Sequence, residues 1–252
     1  MRLTGTVALV TGGSSGIGAE TARALAAAGS RPLIAGRDPG RLQAVARETG
    51  GLALAADLAA PGGAAALAAA ATEAAGPGGI DVLVNNAGIG WAGPVGQMTA
   101  EQVIELIAVD LTAPMQLTRL LMPGMAARGR GHLVFVSSIA GATGVRGEAV
   151  YSAAKAGLGC FAESLAYDLA DRGVGVSVIV PGVIDTPFFE HRGRPYSRRR
   201  PAPLPAQRVA RALVRAIERE QSEVYVPRWM RLPVRLHGTL PGTYRRLAGR
   251  FG

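Results

Sequence analysis

Short apolar runs rich in Val, Leu, Ile and Ala recur along the chain, separated by longer stretches whose apolar positions return at helical spacing. Residues 6–10, 32–35, 52–56, 80–84, 132–137 and 174–180 read as strands, and 224–226 as a short seventh. Residues 17–28, 41–48, 64–75, 101–127, 151–170 and 207–220 read as the helices between them. Strands alternating with helices predict an α/β fold: a doubly wound parallel sheet of about seven strands with helices on both faces. Asp38-Pro39 fits an N-cap followed by proline at the first helical position, and Gly29 fits the residue just past a helix end. The Ala-rich stretch 59–75 reads as a plain surface helix, stopped by Gly76-Pro77-Gly78-Gly79.

A length of 252 residues, with 48% apolar and 18% charged positions, suits one domain spanning 1–252. Cys160 is the one thiol, so no internal disulfide forms, and a reducing, cytoplasmic setting is expected. Its place inside a helix predicts a buried small side chain. Residues 1–10 offer one Arg and a very short apolar run before Thr11-Gly12-Gly13, too little for a signal-peptide core, and no run reaches the roughly 18 apolar residues of a membrane span.

Chemistry enters at Thr11-Gly12-Gly13-Ser14-Ser15-Gly16-Ile17-Gly18, which follows the first strand and opens the first helix. A helix amino terminus presents unpaired N–H groups and partial positive charge, and glycines let a pyrophosphate approach them. Asn85-Asn86-Ala87-Gly88 ends the fourth strand and Ser138 follows the fifth. Tyr151-Ser152-Ala153-Ala154-Lys155 opens the next long helix, and Pro181-Gly182 ends the sixth strand. All lie at strand carboxyl ends, where open α/β sheets bind ligands. Tyr151 and Lys155, four apart, share one helix face.

Together, T-G-x-x-x-G-x-G, N-N-A-G, a Ser 13 residues before the Tyr, Y-x-x-x-K and P-G resemble the short-chain dehydrogenase/reductase family over residues 4–187, with a last strand near 225. The resemblance is nearest to its NADP-dependent carbonyl and ketoacyl reductase type. It implies a Rossmann-like fold, with 4–187 as cofactor-binding and catalytic core and 188–206 as substrate lid. It implies that Gly12, Ser14, Ser15, Gly16, Ile17 and Gly18 hold the dinucleotide, with Asp57 and Leu58 at the adenine edge and Asn85 in the cleft. Pro181, Gly182, Ile184 and Thr186 then lie by the nicotinamide. Asp57 as the cap of a turn before Pro61, and Thr186 as an ordinary loop hydroxyl, remain open alternatives.

The family register puts Gly36 where an NAD-selective carboxylate would stand, followed by Arg37, which attracts a 2′-phosphate; NADP(H) is therefore expected over NAD(H). The rival is a ribose contact from Asp38. By resemblance Tyr151 exchanges a proton with the substrate oxygen, Ser138 hydrogen-bonds that oxygen, and Lys155 holds the nicotinamide ribose. Lys155 is the chain's one lysine among 27 basic residues. Its ammonium, helped by the positive nicotinamide ring, is expected to favour the phenolate and lower a pKa of ~10 by ~2–3. In one place the chain departs from the pattern: Asp110 stands where the family carries an Asn that holds a relay water. An ionised aspartate accepts a hydrogen bond there but cannot donate one.

Formal charge is +9, but it is uneven. Residues 1–187 carry 12 basic and 14 acidic side chains, whereas residues 188–252 carry 15 and four. The segment 188–204 is rich in Arg, with Phe188, Phe189 and Tyr196 either lining an apolar pocket or pinning the loop. Residues 227–252 interleave six arginines with Trp229, Met230, Leu232, Val234, Leu236, Leu240, Tyr244, Leu247 and Phe251. This pattern suits an anionic membrane surface or an acidic carrier, and equally a tail folded over the cleft or a neighbouring subunit. Pro233 and Pro241 exclude one continuous helix. The arginines come with no motif that reads bases, and the three histidines have no metal-ligand spacing, so neither nucleic acid nor a metal is expected. The resemblance implies a homodimer or homotetramer. The sequence thus reads as an NADP(H)-dependent oxidoreductase of a lipophilic carbonyl or secondary alcohol, a small molecule such as a lipid ketone, steroid or acyl thioester. A cofactor-binding regulator without turnover is the alternative from another class.

Overall fold

The computed structural model describes residues 1–196 and 201–251, the last five by their backbone alone. Along the chain run β1 (Val7–Thr11), α1 (Gly16–Ala27), β2 (Arg31–Gly36), α2 (Pro39–Thr49), β3 (Leu52–Ala55), α3 (Gly63–Ala75), β4 (Val82–Asn85), α4 (Ala100–Ile107) and α5 (Ala113–Ala127). Then follow β5 (Gly131–Val136), α6 (Ile139–Thr143), α7 (Ala149–Asp168), β6 (Val174–Pro181), β7 (Ile184–Asp185), α8 (Phe188–His191), β8 (Leu204–Pro205), α9 (Ala206–Glu218), β9 (Glu223–Val226), α10 (Arg231–Thr239) and α11 (Pro241–Phe251). Seven strands form one parallel sheet in the order β3-β2-β1-β4-β5-β6-β9, and β7 and β8 make a separate two-strand ribbon. Strand order reverses between β1 and β4, which opens a crevice at their carboxyl ends.

Alternation along the strands separates the two cores. Leu9, Leu33, Leu83, Leu133 and Phe135 point to one face, where α3, α5 and α7 cover them with Leu67, Leu117, Met125 and Leu158. Val10, Val82, Val84 and Val134 point to the other, against Leu25 of α1 and Val209, Leu213 and Ile217 of α9. Each such fully buried side chain contributes ~1.5–3 kcal/mol. Asp38 caps α2 by accepting the Arg41 N–H at 3.0 Å.

Two expectations change. The helix expected over 101–127 is interrupted by a π-helical turn at Ala108–Thr112. Pro114 has no N–H to give the carbonyl four residues back, that of Asp110, so the α-helical ladder fails there. Cys160, expected to be buried, is exposed. The buried stripe of α7 is Tyr151, Ala154, Lys155, Leu158, Ala162 and Leu165, and residue 160 falls on the opposite side.

A buried histidine makes stability depend on pH. His132 Nε2 lies 2.8 Å from Ser177 Oγ, whose own proton goes to the Gln221 carbonyl at 2.6 Å. Nε2 therefore carries the ring proton, and Nδ1 has no partner among the described residues. Burial above all, reinforced by the positive amino terminus, pushes the imidazole down to about 4. A lowered histidine pKa means the unfolded chain takes up the proton first. Stability is then full above about pH 6.5 and falls as the pH drops toward 4, by ~3 kcal/mol in all. Denaturant midpoints at pH 7.5 and 4.5 measure this, and His132→Leu should flatten the difference attributable to this ring.

Candidate active site

The glycine turn is tied to the end of β4 by a hydroxyl. Thr11 Oγ1 donates to the Val84 carbonyl at 3.2 Å and accepts the N–H groups of Asn86 and Ala87, each at 3.0 Å. Asn86 Nδ2 returns to the Thr11 carbonyl at 2.8 Å. Gly12 has φ +64°, and a Cβ there would stand 2.8 Å from Ala87 Cα, so only glycine lets the two segments touch. Ser15 caps α1 in an extended conformation with no side-chain bond, leaving the first-turn N–H groups without a side-chain acceptor. Gly16 lies against Thr186, and Thr186 Oγ1 reaches the Ile184 carbonyl at 3.5 Å.

Asn85 is buried, with its amide 3.4 Å from Thr118 Oγ1 and its carbonyl oxygen without a partner among the described residues. An orphaned amide oxygen, a helix start without a side-chain cap and the flat Gly12 turn fit a group bearing phosphates and a polar ring. At the rim Arg37 is exposed, 3.8 Å from Glu105. Asp38, the rival for the ribose, is taken up by the Arg41 N–H and the Arg41 guanidinium at 3.2 Å. Asp57 is exposed and accepts the Ala59 N–H at 3.0 Å, the turn cap that stood as its alternative. Leu58 packs at the edge of the core. Pro181 closes β6, and Gly182 abuts the Met230 sulfur, which brings the segment after β9 over this end of the sheet.

Ser138, Tyr151, Lys155 and Asp110 come together at the carboxyl end of β5. Ser138 caps α6, its Oγ accepting the Ala140 N–H at 3.2 Å, which leaves its own proton to donate. Ser137 Oγ donates to the Lys155 carbonyl at 2.9 Å and pins the start of α7 to the strand. Lys155 Nζ donates to the Val136 carbonyl at 3.2 Å and stands 3.1 Å from Asp110 Oδ2, with side chains 4% and 0% exposed. Asp110 Oδ1 accepts the Ile89 N–H at 2.7 Å. A Cβ at Gly88 would come within 3.0 Å of Asp110 Oδ2 and 3.2 Å of Lys155 Nζ; the last glycine of Asn-Asn-Ala-Gly makes room for the pair.

The pair adds a carboxylate to the electrostatics around the phenol. The Lys155 ammonium is 5.8 Å from the Tyr151 ring centroid, but its charge is met by Asp110. Burial first, then the Asp110 charge, push the Tyr151 phenol up, against a smaller lowering by the Ser138 hydrogen bond. Burial likewise raises Asp110, with Lys155 opposing.

Tyr151 sits among Leu106, Ala140 and Ala154, with Ile89, Trp91 and Phe188 around them. Phe188 of α8 packs on Tyr151 at 5.4 Å, Phe189 on Phe188 at 5.6 Å, and Tyr196 on Phe189 at 5.4 Å. Arg192 lies over the Phe189 ring and pairs with Glu148 of the residues leading into α7. The three aromatics thus pin the segment over the tyrosine, while Phe188 also walls its apolar surroundings. Residues 197–200 of the expected lid, and the expected tail residues Leu247, Phe251 and Gly252, have side chains outside the described residues.

A family model described as short chain dehydrogenase matches residues 6–196. The chain belongs to the short-chain dehydrogenase family. It is therefore an oxidoreductase of carbonyl and alcohol groups, with a site fitted to a nicotinamide dinucleotide. It is 36% identical over 234 residues to the ketoacyl reductase HetN of Nostoc sp., covering 89% of this chain and 79% of that one. A short-chain dehydrogenase of Sphingobium yanoikuyae in complex with NADPH superposes with a TM-score of 0.82 at 29% identity, covering 94% and 95% of the two chains. Another from Burkholderia phymatum, in complex with NAD, gives 0.86 at 25% identity, covering 94% of each. Within the short-chain dehydrogenase site, the Thr11–Asn86 tie and Ser137 were absent from the residues singled out as functional. Their signal was present in the same motifs, but hydroxyls and amides that bond to backbone are invisible without the neighbouring segment.

Proposed function

We propose that this short-chain dehydrogenase reduces the carbonyl of a lipophilic substrate with NADPH. The observation that carries the reading is the meeting of Ser138, Tyr151 and Lys155 at one strand end, inside an apolar surround. Tyr151 Oη gives its proton to the carbonyl oxygen, and the Ser138 hydroxyl donates a hydrogen bond to the same atom. Lys155 Nζ donates to the Val136 carbonyl and pairs with the Asp110 carboxylate, and a remaining donor serves the nicotinamide ribose. Bound nicotinamide supplies the hydride. The residues Gly12, Ser14, Ser15, Gly16, Ile17, Gly18, Asp57, Leu58, Asn85, Pro181, Gly182, Ile184 and Thr186 hold the dinucleotide. A panel of ketones and acyl thioesters, followed by loss of NADPH absorbance, tests the reaction; cofactor binding with no turnover on any compound favours the regulatory alternative.

Preference for NADPH rests on Arg37 beside the side-chain-free Gly36, with Asp38 occupied as a cap. A guanidinium–phosphate contact contributes ~1.5–3 kcal/mol, so Arg37→Ala should weaken NADPH binding about 10- to 100-fold and NADH binding little. Titrations of both nucleotides decide it, and tighter NADH than NADPH in the parent chain would refute the assignment.

A homo-oligomer through the outer faces of the α4–α5 segment and α7 suits the exposed Ile104, Leu120 and Tyr167. Peripheral contact with anionic lipid suits the carboxyl end. Trp229, Leu232 and Leu240 are 53%, 67% and 55% exposed, with Arg228, Arg231 and Arg235 among them. Sedimentation with anionic vesicles should show salt-sensitive binding that is lost when 227–252 are removed. Binding to an acidic carrier protein without vesicle binding would favour the carrier instead.

A further inference from the structure

Five charged or polar side chains face the Tyr151 phenol, while the residues of α4, α6 and the loop after β4 that pack on its ring are apolar. Lys155 and Glu148 come from α7 and its lead-in, Arg192 from the segment after α8, Asp110 from the π-helical turn, and Ser138 from the end of β5. Glu148 and Arg192 pair with each other, their side chains 13% and 11% exposed, so their charges largely offset at the phenol. The balance is then set by Lys155 and its partner. With an uncharged amide at position 110, the interior would hold one net positive charge beside the phenol. Here the Asp110 carboxylate cancels it, held in place by the Ile89 N–H and by the space at Gly88. The π-helical turn opposite Pro114 places it there.

We propose that Asp110 is a positioning residue that neutralises Lys155 and so keeps Tyr151 a proton donor to more alkaline pH than the same site with an amide. This rests on Tyr151 being the reacting acid. Burial and the Asp110 charge both act on the phenol in that direction. The consequence is a pair of shifted limbs. Reduction needs the phenol and fails above its pKa, and oxidation needs the phenolate and fails below it, so one displacement moves both together.

The experiment is kcat/KM against pH for ketone reduction with NADPH and alcohol oxidation with NADP, in the parent and in Asp110→Asn. Both limbs should move to lower pH in the variant by about one unit or more. An active Asp110→Asn whose two limbs coincide with the parent's overturns the proposal. Because the variant leaves a buried ammonium without its carboxylate, the parent is also titrated by tyrosinate absorbance against Tyr151→Phe. Parent and variant spectra should agree until beyond about pH 10, and a Tyr151 phenolate below about pH 8 overturns it. If Tyr151→Phe abolishes turnover while the Asp110→Asn limbs stay in place, this inference falls and the proposed function stands. If Tyr151→Phe keeps full turnover, both fall.

Discussion

Replacing Tyr151 with phenylalanine is expected to lower kcat/KM for carbonyl reduction by about 10²- to 10⁴-fold, the usual span for a positioned general acid, with NADPH affinity changed by no more than a few-fold. The ring is retained, so the contacts with Phe188, Leu106 and Ala154 survive and only Oη is lost. The hydrogen bond between that oxygen and Ser138 disappears with it, but Ser138 keeps the Ala140 N–H as its donor. A fall in kcat at unchanged nucleotide affinity therefore isolates proton donation from binding. Full turnover in a variant that binds NADPH normally would remove Tyr151 from the chemistry. Steady-state rates beside a fluorescence titration of NADPH make the comparison.

Lys155→Met is expected to destabilise the fold by about 3–5 kcal/mol near pH 7, because it leaves the wholly buried Asp110 carboxylate without a counter-charge. The sign of the pH dependence follows. With its lysine gone, Asp110 titrates above the ~3.9 of an unfolded aspartate, so the folded state holds the proton longer. The variant's deficit should be small near pH 4 and grow as the pH rises through the folded value. Adding Asp110→Asn to Lys155→Met removes the stranded charge and should recover most of the loss, though not activity. Urea midpoints for the single and double variants at pH 5 and 8 measure this, and a double variant no more stable than the single would show that the charge is not the cause.

The contrast between these two residues shows how far a linear chain carries. Tyr151 and Lys155 were recognisable because spacing of four on a helix puts them on one face, and the surrounding motifs fix which helix. The charge state of the site was not recognisable. Asp110 lies 45 positions before Lys155, on another element, and nothing local says that they meet at 3.1 Å. The sequence reading offers Asp110 as an acceptor near Lys155 but gives no distance between them, and the direct pairing of the two charges comes from the fold. Pro114 was the available clue to the π-helical turn, since a missing N–H interrupts any helical ladder. Cys160 was misjudged for a related reason: a helix stripe is readable only when its phase is known, and α7 takes its phase from residues 151–165 against the sheet.

Periodicity and punctuation determined the alternation of strands and helices and the glycine turn between β1 and α1, because these depend on neighbours within a few residues. Tertiary structure decided which charges share a buried volume and which hydroxyls tie segments together, as with Thr11 and Asn86 or Ser137 and Lys155. Those outcomes depend on desolvation and on distances between segments far apart in the chain. Such quantities come into being only when the sheet closes its two faces.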